Sequence, residues 1–273
     1  GLELLPFRRN GGKKKVVVVG GGVAGMEAAL TAAHLGHAVT LYEKNSFLGG
    51  LLNVASLPPH KSIFKRLIDY YSYALVEANV RLVLGSAPTA LELKGMAPDA
   101  LVVGTGSQPL VPGFLKNSPA IPAAEVLRGA RTGQKVLILG GGLVGAETAE
   151  FLAEQGKNVT ILELRDAVAA DMQGRARAFL MEELKARGTV FMVGTEIQSI
   201  DADGTVIVKD RYGNVHPLPC FDTLIAALGY RADNTLSAEL FALGVPFLPV
   251  GDCIRAGKIM TAVHQAFQTA CSL

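Results

Sequence analysis

The sequence has no Cys-x-x-Cys pair. Its three cysteines, Cys220, Cys253 and Cys271, are widely separated. That leaves no dithiol redox centre and no cysteine set for an iron–sulfur cluster within the chain. Isolated thiols of this kind pack as small apolar residues, and they point to a reducing, cytoplasmic compartment. No apolar run reaches the length of about 18 residues that a membrane span requires, and no signal-peptide pattern opens the chain, so no membrane partner is expected. Charge is scarce and balanced: Asp, Glu, Lys and Arg make up 18% of residues and the net charge is +2. Neither nucleic acid nor an acidic partner is implied. The one basic run, Lys13 to Lys15 beside Arg8 and Arg9, lies in a stretch without periodicity, and residues 1–13 read as a solvated leader. The chain begins at Gly1 rather than Met, so an upstream segment is expected.

Apolar residues and glycine are plentiful. Hydrophobic residues are 49% of 273, enough for two packed cores and against disorder. The 31 glycines cluster in short runs, and those runs reveal a repeat. Lys14 to Val19 is a short basic flank and then a β-branched run, the pattern of a buried parallel strand. Gly20-Gly21-Gly22-Val23-Ala24-Gly25 follows. The Ala-, Leu- and Glu-rich stretch from Met26 to Leu35 reads as a helix capped by Gly36. A second strand, Ala38 to Tyr42, ends on Glu43. The same series recurs at an offset of 120: Lys135 to Leu139, then Gly140-Gly141-Gly142-Leu143-Val144-Gly145, a helix over Ala146 to Gln155, Gly156, and a strand ending on Glu163. A repeat this long is a duplicated domain rather than a solenoid.

Each copy places G-x-G-x-x-G between a strand and a helix, with an acid 18 residues after the third glycine. That context makes the pattern a dinucleotide-binding fingerprint. Gly20 and Gly140 permit the tight turn. Gly22 and Gly142 let backbone approach a pyrophosphate, and Gly25 and Gly145 let helix and strand pack closely. The helix N-terminus then holds the phosphate charge, and Glu43 and Glu163 are placed to accept from an adenosine ribose. About 80 residues after each turn comes another buried strand, Asp99 to Val103 leading into Thr105 and Gly106, and Phe221 to Leu228 leading into Gly229. Both would end near the nucleotide. Turn sequences at 201–204 and 211–214 predict a small antiparallel meander over one face of the second unit. At the end of the chain, Gly251-Asp252 lies between a short strand and a helix over Lys258 to Cys271. On local physics Asp252 is equally a ligand contact or a helix-entry residue.

Taken in order, these features resemble the flavoprotein reductases with two dinucleotide-binding domains. Within that group the chain is most similar to the C-terminal half of the NADH:flavin oxidoreductases of the Old Yellow Enzyme type, such as 2,4-dienoyl-CoA reductase, enoate reductase and trimethylamine dehydrogenase. The residues that carry the likeness are Gly20 to Ala29, Glu43-Lys44, Leu48-Gly49-Gly50-Leu51 and Leu67-Ile68-Asp69-Tyr70-Tyr71. The resemblance implies an α/β fold of two Rossmann-like three-layer domains. The nicotinamide domain, 113–235, is inserted into an FAD domain made of 14–112 and 236–273. It further implies that Gly20, Gly22, Gly25 and Glu43, followed by Lys44, hold the ADP half of FAD, and that Gly49, Gly50 and Leu51 line the flavin side. Thr105 and Gly106 would close over the cofactor. Asp252, after Gly251, would bond the ribityl chain or phosphate, and Met260 and Thr261 would offer backbone N–H groups to the flavin ring. Gly140, Gly142, Gly145 and Glu163 would hold the nicotinamide nucleotide, with Glu147 near its nicotinamide end. Glu163 favours NADH, whereas Arg165 two residues on suits the 2′-phosphate of NADPH.

The departures from that family matter as well. The barrel with FMN and a four-iron cluster is absent from this length, so those centres are expected on a missing N-terminal domain or a redox partner protein. Residues 44–52 contain no cysteine, so disulfide reduction is not expected. No catalytic side chain and no metal ligand is nominated. The alternatives are a structural module that keeps only ADP, and a stand-alone reductase like those of ferredoxins or the glutamate synthase small subunit.

Overall fold

The computed structural model describes residues 12–273. Arg8, Arg9 and most of the expected leader lie outside the described residues. The chain divides into two units: one comprises residues up to Ser56, Ile63–Gln108 and Tyr230–Leu273, the other Leu57–Ser62 and Pro109–Gly229.

The first unit starts with β1 (Lys15–Val19), α1 (Val23–His34) and β2 (Ala38–Glu43). Four of the five β1 residues are buried, which is why the run is apolar throughout rather than alternating. α1 ends where Gly36 takes φ +88°. The Gly36 N–H donates to Ala33 O at 2.8 Å and His37 N–H to Ala32 O at 3.2 Å, the left-handed cap that a glycine permits without strain. α2 (Leu52–Ala55), α3 (Ile63–Glu77), β3 (Arg81–Leu84), α4 (Ala90–Met96), β4 (Ala100–Val103) and β5 (Ser107–Pro109) follow. α3 buries Ile68, Tyr71 and Leu75, one helical face. Thr89 and Glu92 form a reciprocal capping box at the start of α4.

The second unit contains β6 (Ile121–Pro122), α5 (Ala123–Leu127), β7 (Lys135–Leu139), α6 (Leu143–Glu154), β8 (Asn158–Glu163), α7 (Gly174–Ala186) and β9 (Val190–Val193). Then come β10 (Glu196–Ile200), β11 (Val206–Lys209), β12 (Val215–Pro217) and β13 (Thr223–Ala226). Its sheet is parallel, in the order β6-β13-β7-β8-β9. α5, α6 and α7 pack on one face around Ile138, Ile161 and Leu184. The expected meander, β10-β11-β12, is antiparallel. It covers the other face, where Val206 and Val208 meet Leu137 and Leu139.

The chain then returns to the first unit through β14 (Tyr230–Ala232), α8 (Thr235–Ala242), β15 (Leu248–Pro249) and α9 (Ile259–Cys271). β14 pairs with β5 where the chain crosses between units. The first sheet, also parallel, has the order β15-β4-β1-β2-β3. One face carries α1, α3 and α9, with Ala262, Ala266 and Ala270 buried in the same cluster as the alanines of α1; small residues let the helices approach closely. The other face carries α4 and α8 over Val17, Val19 and Val103. Two Rossmann-like, three-layer α/β units, the second inserted in the first, are therefore present as the sequence implied. Each sheet takes its outermost strand beyond β4 or β13 from elsewhere in the chain, β15 from the far end and β6 from ahead of the second repeat.

Candidate functional site

In a parallel sheet, ligands gather at the C-terminal ends of the strands where the order reverses. In the first unit that edge brings together three segments distant in sequence. Gly20 follows β1 at φ +108°, and a Cβ there would strike the Gly104 carbonyl; a Cβ on Gly25 would strike the Gly20 carbonyl. Those two glycines are demanded by packing within the turn. Gly22 differs: nothing stands within 4 Å of where its Cβ would be. It is also the N-cap of α1 and makes no side-chain cap bond. The helix thus presents its first N–H groups and its positive end beside open space, the condition for binding a phosphate.

Glu43, buried at the end of β2, closes the turn from the side. Its Oε2 accepts from Gly21 N–H at 2.6 Å. Its Oε1 accepts from the backbone and side-chain amides of Asn45 at 2.8 and 2.7 Å. Lys44 is exposed. Burial opposes ionisation of Asp233, but hydrogen bonds from Gln108 and Thr235, with the Lys44 charge, hold its carboxyl below the ordinary value. The Thr105 hydroxyl donates to Asp233 O at 2.7 Å, and Asp233 N–H donates to Gly106 O at 3.0 Å. Thr105 and Gly106 are thereby tied to the returning chain.

Gly251 abuts α1, where an added Cβ would stand 2.7 Å from Ala24 Cβ. Its N–H donates to Gln265 Oε1 at 2.9 Å. Asp252 accepts from Ser107 Oγ and Gly257 N–H, both at 3.1 Å. Gly251-Asp252 therefore lies beside the first glycine turn, about 230 residues away in sequence. Met260 and Thr261 are exposed in the first turn of α9, which has no side-chain cap, so N–H groups there are left for an outside acceptor. Gly50, at φ +51°, sits against Gly22, its Cβ position 3.1 Å from Gly22 Cα, and Leu51 is partly exposed beside it. Gly49 has a structural reason of its own: a Cβ there would meet Asn53 Nδ2 at 2.6 Å and Ile68 Cδ1 at 2.9 Å.

The second unit rebuilds the same turn. Gly140 has φ +102°, and its Cβ would lie 2.6 Å from Ala227 O; a Cβ on Gly145 would strike the Gly140 carbonyl. Gly142 is again the N-cap of its helix with no side-chain cap bond. Glu163, buried, accepts from Gly141 N–H at 2.7 Å and from Arg165 N–H at 2.8 Å. Gly229, at φ +94°, accepts through its carbonyl from Leu110 N–H at 2.9 Å.

Glu147 occupies the same place in its helix as Glu27 in the first repeat but takes a different partner. Its repeat partner, Glu27, accepts from Tyr71 OH at 2.6 Å and Thr31 Oγ1 at 2.9 Å. Glu147 is buried too, but it takes an ion pair, Lys61 Nζ to Oε1 at 2.7 Å. Lys61 lies on the 57–62 segment, which belongs to the second unit although it interrupts the first. Glu150, one turn further along α6, is buried beside this pair. Burial raises its carboxyl pKa; the His60 and Lys61 charges oppose the rise, and Glu154 and Glu147 add to it. Nothing in the spacing of Lys61 signals these contacts. Asn45 could have been found, because the offset of 120 pairs it with Arg165.

A cavity of about 570 Å³ lined by Arg131, Gly133, Asp203 and Asp222 opens at the opposite, N-terminal edge of the second sheet, away from the glycine turn. Among the described residues, no cluster of three or more His, Cys, Asp and Glu stands ready to hold a metal, and no helix is long and apolar enough to cross a membrane.

Two dinucleotide cradles on inserted Rossmann-like units define the class: an FAD- and NAD(P)-binding oxidoreductase module. The chain belongs to the family described as pyridine nucleotide-disulphide oxidoreductase, which it matches over residues 14–267. It is 37% identical over 256 residues to an NADH oxidase of Thermoanaerobacter brockii, covering 91% of this chain and 39% of that protein. A solved complex of a 2-naphthoyl-CoA reductase superposes with a TM-score of 0.90 at 30% identity, over 98% of this chain and 41% of that one. Thioredoxin reductase of Lactococcus lactis shares the fold, with a TM-score of 0.71 at 22% identity over 95% of this chain and 97% of its own. The chain thus spans about two fifths of the larger flavoproteins to which it is similar in sequence.

Proposed function

We propose that this chain is the electron-input module of a larger reductase, with FAD in the first unit and NADH in the second. The observation that carries the reading is the assembly at the first glycine turn of three separate segments: Gly20 to Gly25 with Glu43, Thr105-Gly106, and Gly251-Asp252 with the uncapped start of α9. A nucleotide as long as FAD needs contacts beyond its ADP half, and Asp252, Met260 and Thr261 would supply them. When bound, FAD would supply hydride-accepting and electron-relaying chemistry beside the nicotinamide. The protein's part is to bind and orient both nucleotides and exclude water. Gly140, Gly142, Gly145 and Glu163 would hold the nicotinamide nucleotide, and Glu147, neutralised by Lys61, stands one turn into the helix that holds its phosphates. Glu163 favours NADH, since a carboxylate accepts from ribose hydroxyls and repels a 2′-phosphate.

The acceptor is an FMN or iron–sulfur centre on a domain outside this chain or on a partner protein; the unmatched three fifths of the relatives leave room for such a domain. The three cysteines are free and scattered, which gives no dithiol for disulfide reduction. The rival reading is an ADP-only structural module, and Gly49 does not discriminate between the two, because Asn53 and Ile68 already require a glycine there. Identification of the nucleotide released on denaturation separates the two. The expected result is FAD, bleached anaerobically by NADH. Release of ADP, or purified protein that neither contains nor binds FAD, overturns the proposal.

A further inference from the structure

The chain has six methionines, and all but one are held by packing. Met26, on α1, is fully buried. Met96, Met172, Met181 and Met192 are partly buried, each against a core cluster. Met260 differs: it is 66% exposed, in the first turn of α9. A thioether is oxidised where an oxidant can reach it, and oxidation turns an apolar side chain into a polar one. The exposed thiols lie elsewhere. Cys220 precedes β13 in the second unit, and Cys271 closes α9 at its other end.

The start of α9 is sensitive to such a change. Its N-cap is Lys258, with no side-chain cap bond, and an ammonium carries no acceptor. The first N–H groups of the helix are therefore open, and they are the donors that the flavin ring would use. The sulfur of methionine takes the position along the side chain that the carboxyl carbon takes in glutamate. Oxidation sets an oxygen on it, where glutamate carries Oε. Acceptor side chains in a first turn reach back onto the free N–H groups and are favoured by the helix dipole. Oxidised Met260 thus offers α9 a cap of its own, which competes with the flavin for the same donors.

We propose that Met260 is a peroxide-sensitive modification site whose oxidation loosens FAD. The oxidant is hydrogen peroxide, the product when dioxygen takes two electrons and two protons. The sulfur lone pair attacks the O–O bond; one oxygen stays on sulfur as the sulfoxide, and the other leaves with both protons as water. The proposal rests on FAD occupying the first unit.

The test is treatment of the FAD-loaded protein with hydrogen peroxide. Peptide mass spectrometry locates the sulfoxides, and fluorescence titration of the oxidised, flavin-stripped protein gives the FAD affinity. Met260 should gain oxygen at least about tenfold faster than each of the five packed methionines. FAD affinity should fall by about three- to tenfold, the contribution of one hydrogen bond, and methionine sulfoxide reductase should restore it. Met260→Leu should keep, through the same treatment, the affinity it had before it. Met260→Gln places an amide oxygen where the sulfoxide oxygen would stand, and without any oxidant it should bind FAD about three- to tenfold more weakly than Met260→Leu. Oxidation of Met260 no faster than that of Met96, unchanged FAD affinity once Met260 is oxidised, or an equal loss in Met260→Leu overturns the proposal while leaving the FAD site standing. Protein that binds no FAD before any oxidation removes the flavin reading itself, and this proposal with it.

Discussion

Replacing Tyr71 by Phe removes one oxygen from the junction of α1 and α3. The ring is 4% exposed and stays in the core, so the change isolates the hydroxyl. That hydroxyl donates to Glu27 Oε2 at 2.6 Å, and the other carboxylate oxygen keeps Thr31. A hydrogen bond to a charged group contributes about 1.5–3 kcal/mol. The variant should therefore be less stable by about 2 kcal/mol, a midpoint lower by about 4–8 °C for a chain of this size. Burial first, then the hydrogen bond and charge of Glu27, push the Tyr71 phenol above its ordinary range. The folded state consequently keeps its proton while the unfolded chain releases it near pH 10. The contribution of Tyr71 is present in full below that pH and is lost as pH rises toward the folded value. By pH 11 ionisation favours the unfolded parent by about 1.4 kcal/mol, and the variant has no phenol to ionise. Urea unfolding of both proteins from pH 8 to 11 should show the gap narrowing by that amount above pH 10. A gap below about 0.5 kcal/mol at pH 8, or one that does not narrow, refutes the account of how α1, and the glycine turn at its start, is anchored.

Two further outcomes follow from the second unit. Glu150 carries a carboxyl whose pKa burial has raised, so its ionised form opposes folding at neutral pH; the stabilising effect of its protonated form is present below the unfolded value and is lost as pH rises through the folded one. Glu150→Gln should raise stability at pH 7, and the gain should vanish below about pH 4, where the parent carboxyl is protonated in both states; thermal unfolding at the two pH values checks both, and a loss at pH 7 would count against it. In Gly145→Ala the new methyl meets the Gly140 carbonyl, a strain of about 1–3 kcal/mol if the turn is to keep its shape. FAD content of the purified protein should be retained while NAD⁺ affinity falls at least about tenfold by titration. Equal loss of both nucleotides would show that the two turns are not independent.

Much of the architecture was legible because its signals are local. A buried parallel strand announces itself as an apolar run, Gly36 and Gly156 end helices by adopting positive φ, and Gly20 and Gly140 mark turns that no side chain tolerates. The offset of 120 also paired Glu43 with Glu163 before any contact was known. What stayed hidden depends on contacts between distant segments. Glu27 and Glu147 look alike in sequence, yet one is satisfied by a phenol from α3 and the other by a lysine from a six-residue excursion. Gly49 also has a packing role that its place in the sequence does not reveal, because Asn53 and Ile68 fill the space a Cβ would take. The strand β6 is two residues long, too short for periodicity to reveal.

The amino-acid sequence by itself determined the class of the molecule: two copies of a strand, a glycine turn, a helix and an acid, each encoded within about 30 residues because turn geometry and helix N-termini are properties of neighbouring residues. Only the tertiary structure decided how the copies differ. It carried Gly251-Asp252 to the first turn, set Lys61 against Glu147, and laid Arg165 over Gly142. Each of these depends on where the folded backbone brings a charge within a few ångströms of another group, which spacing along the chain does not specify.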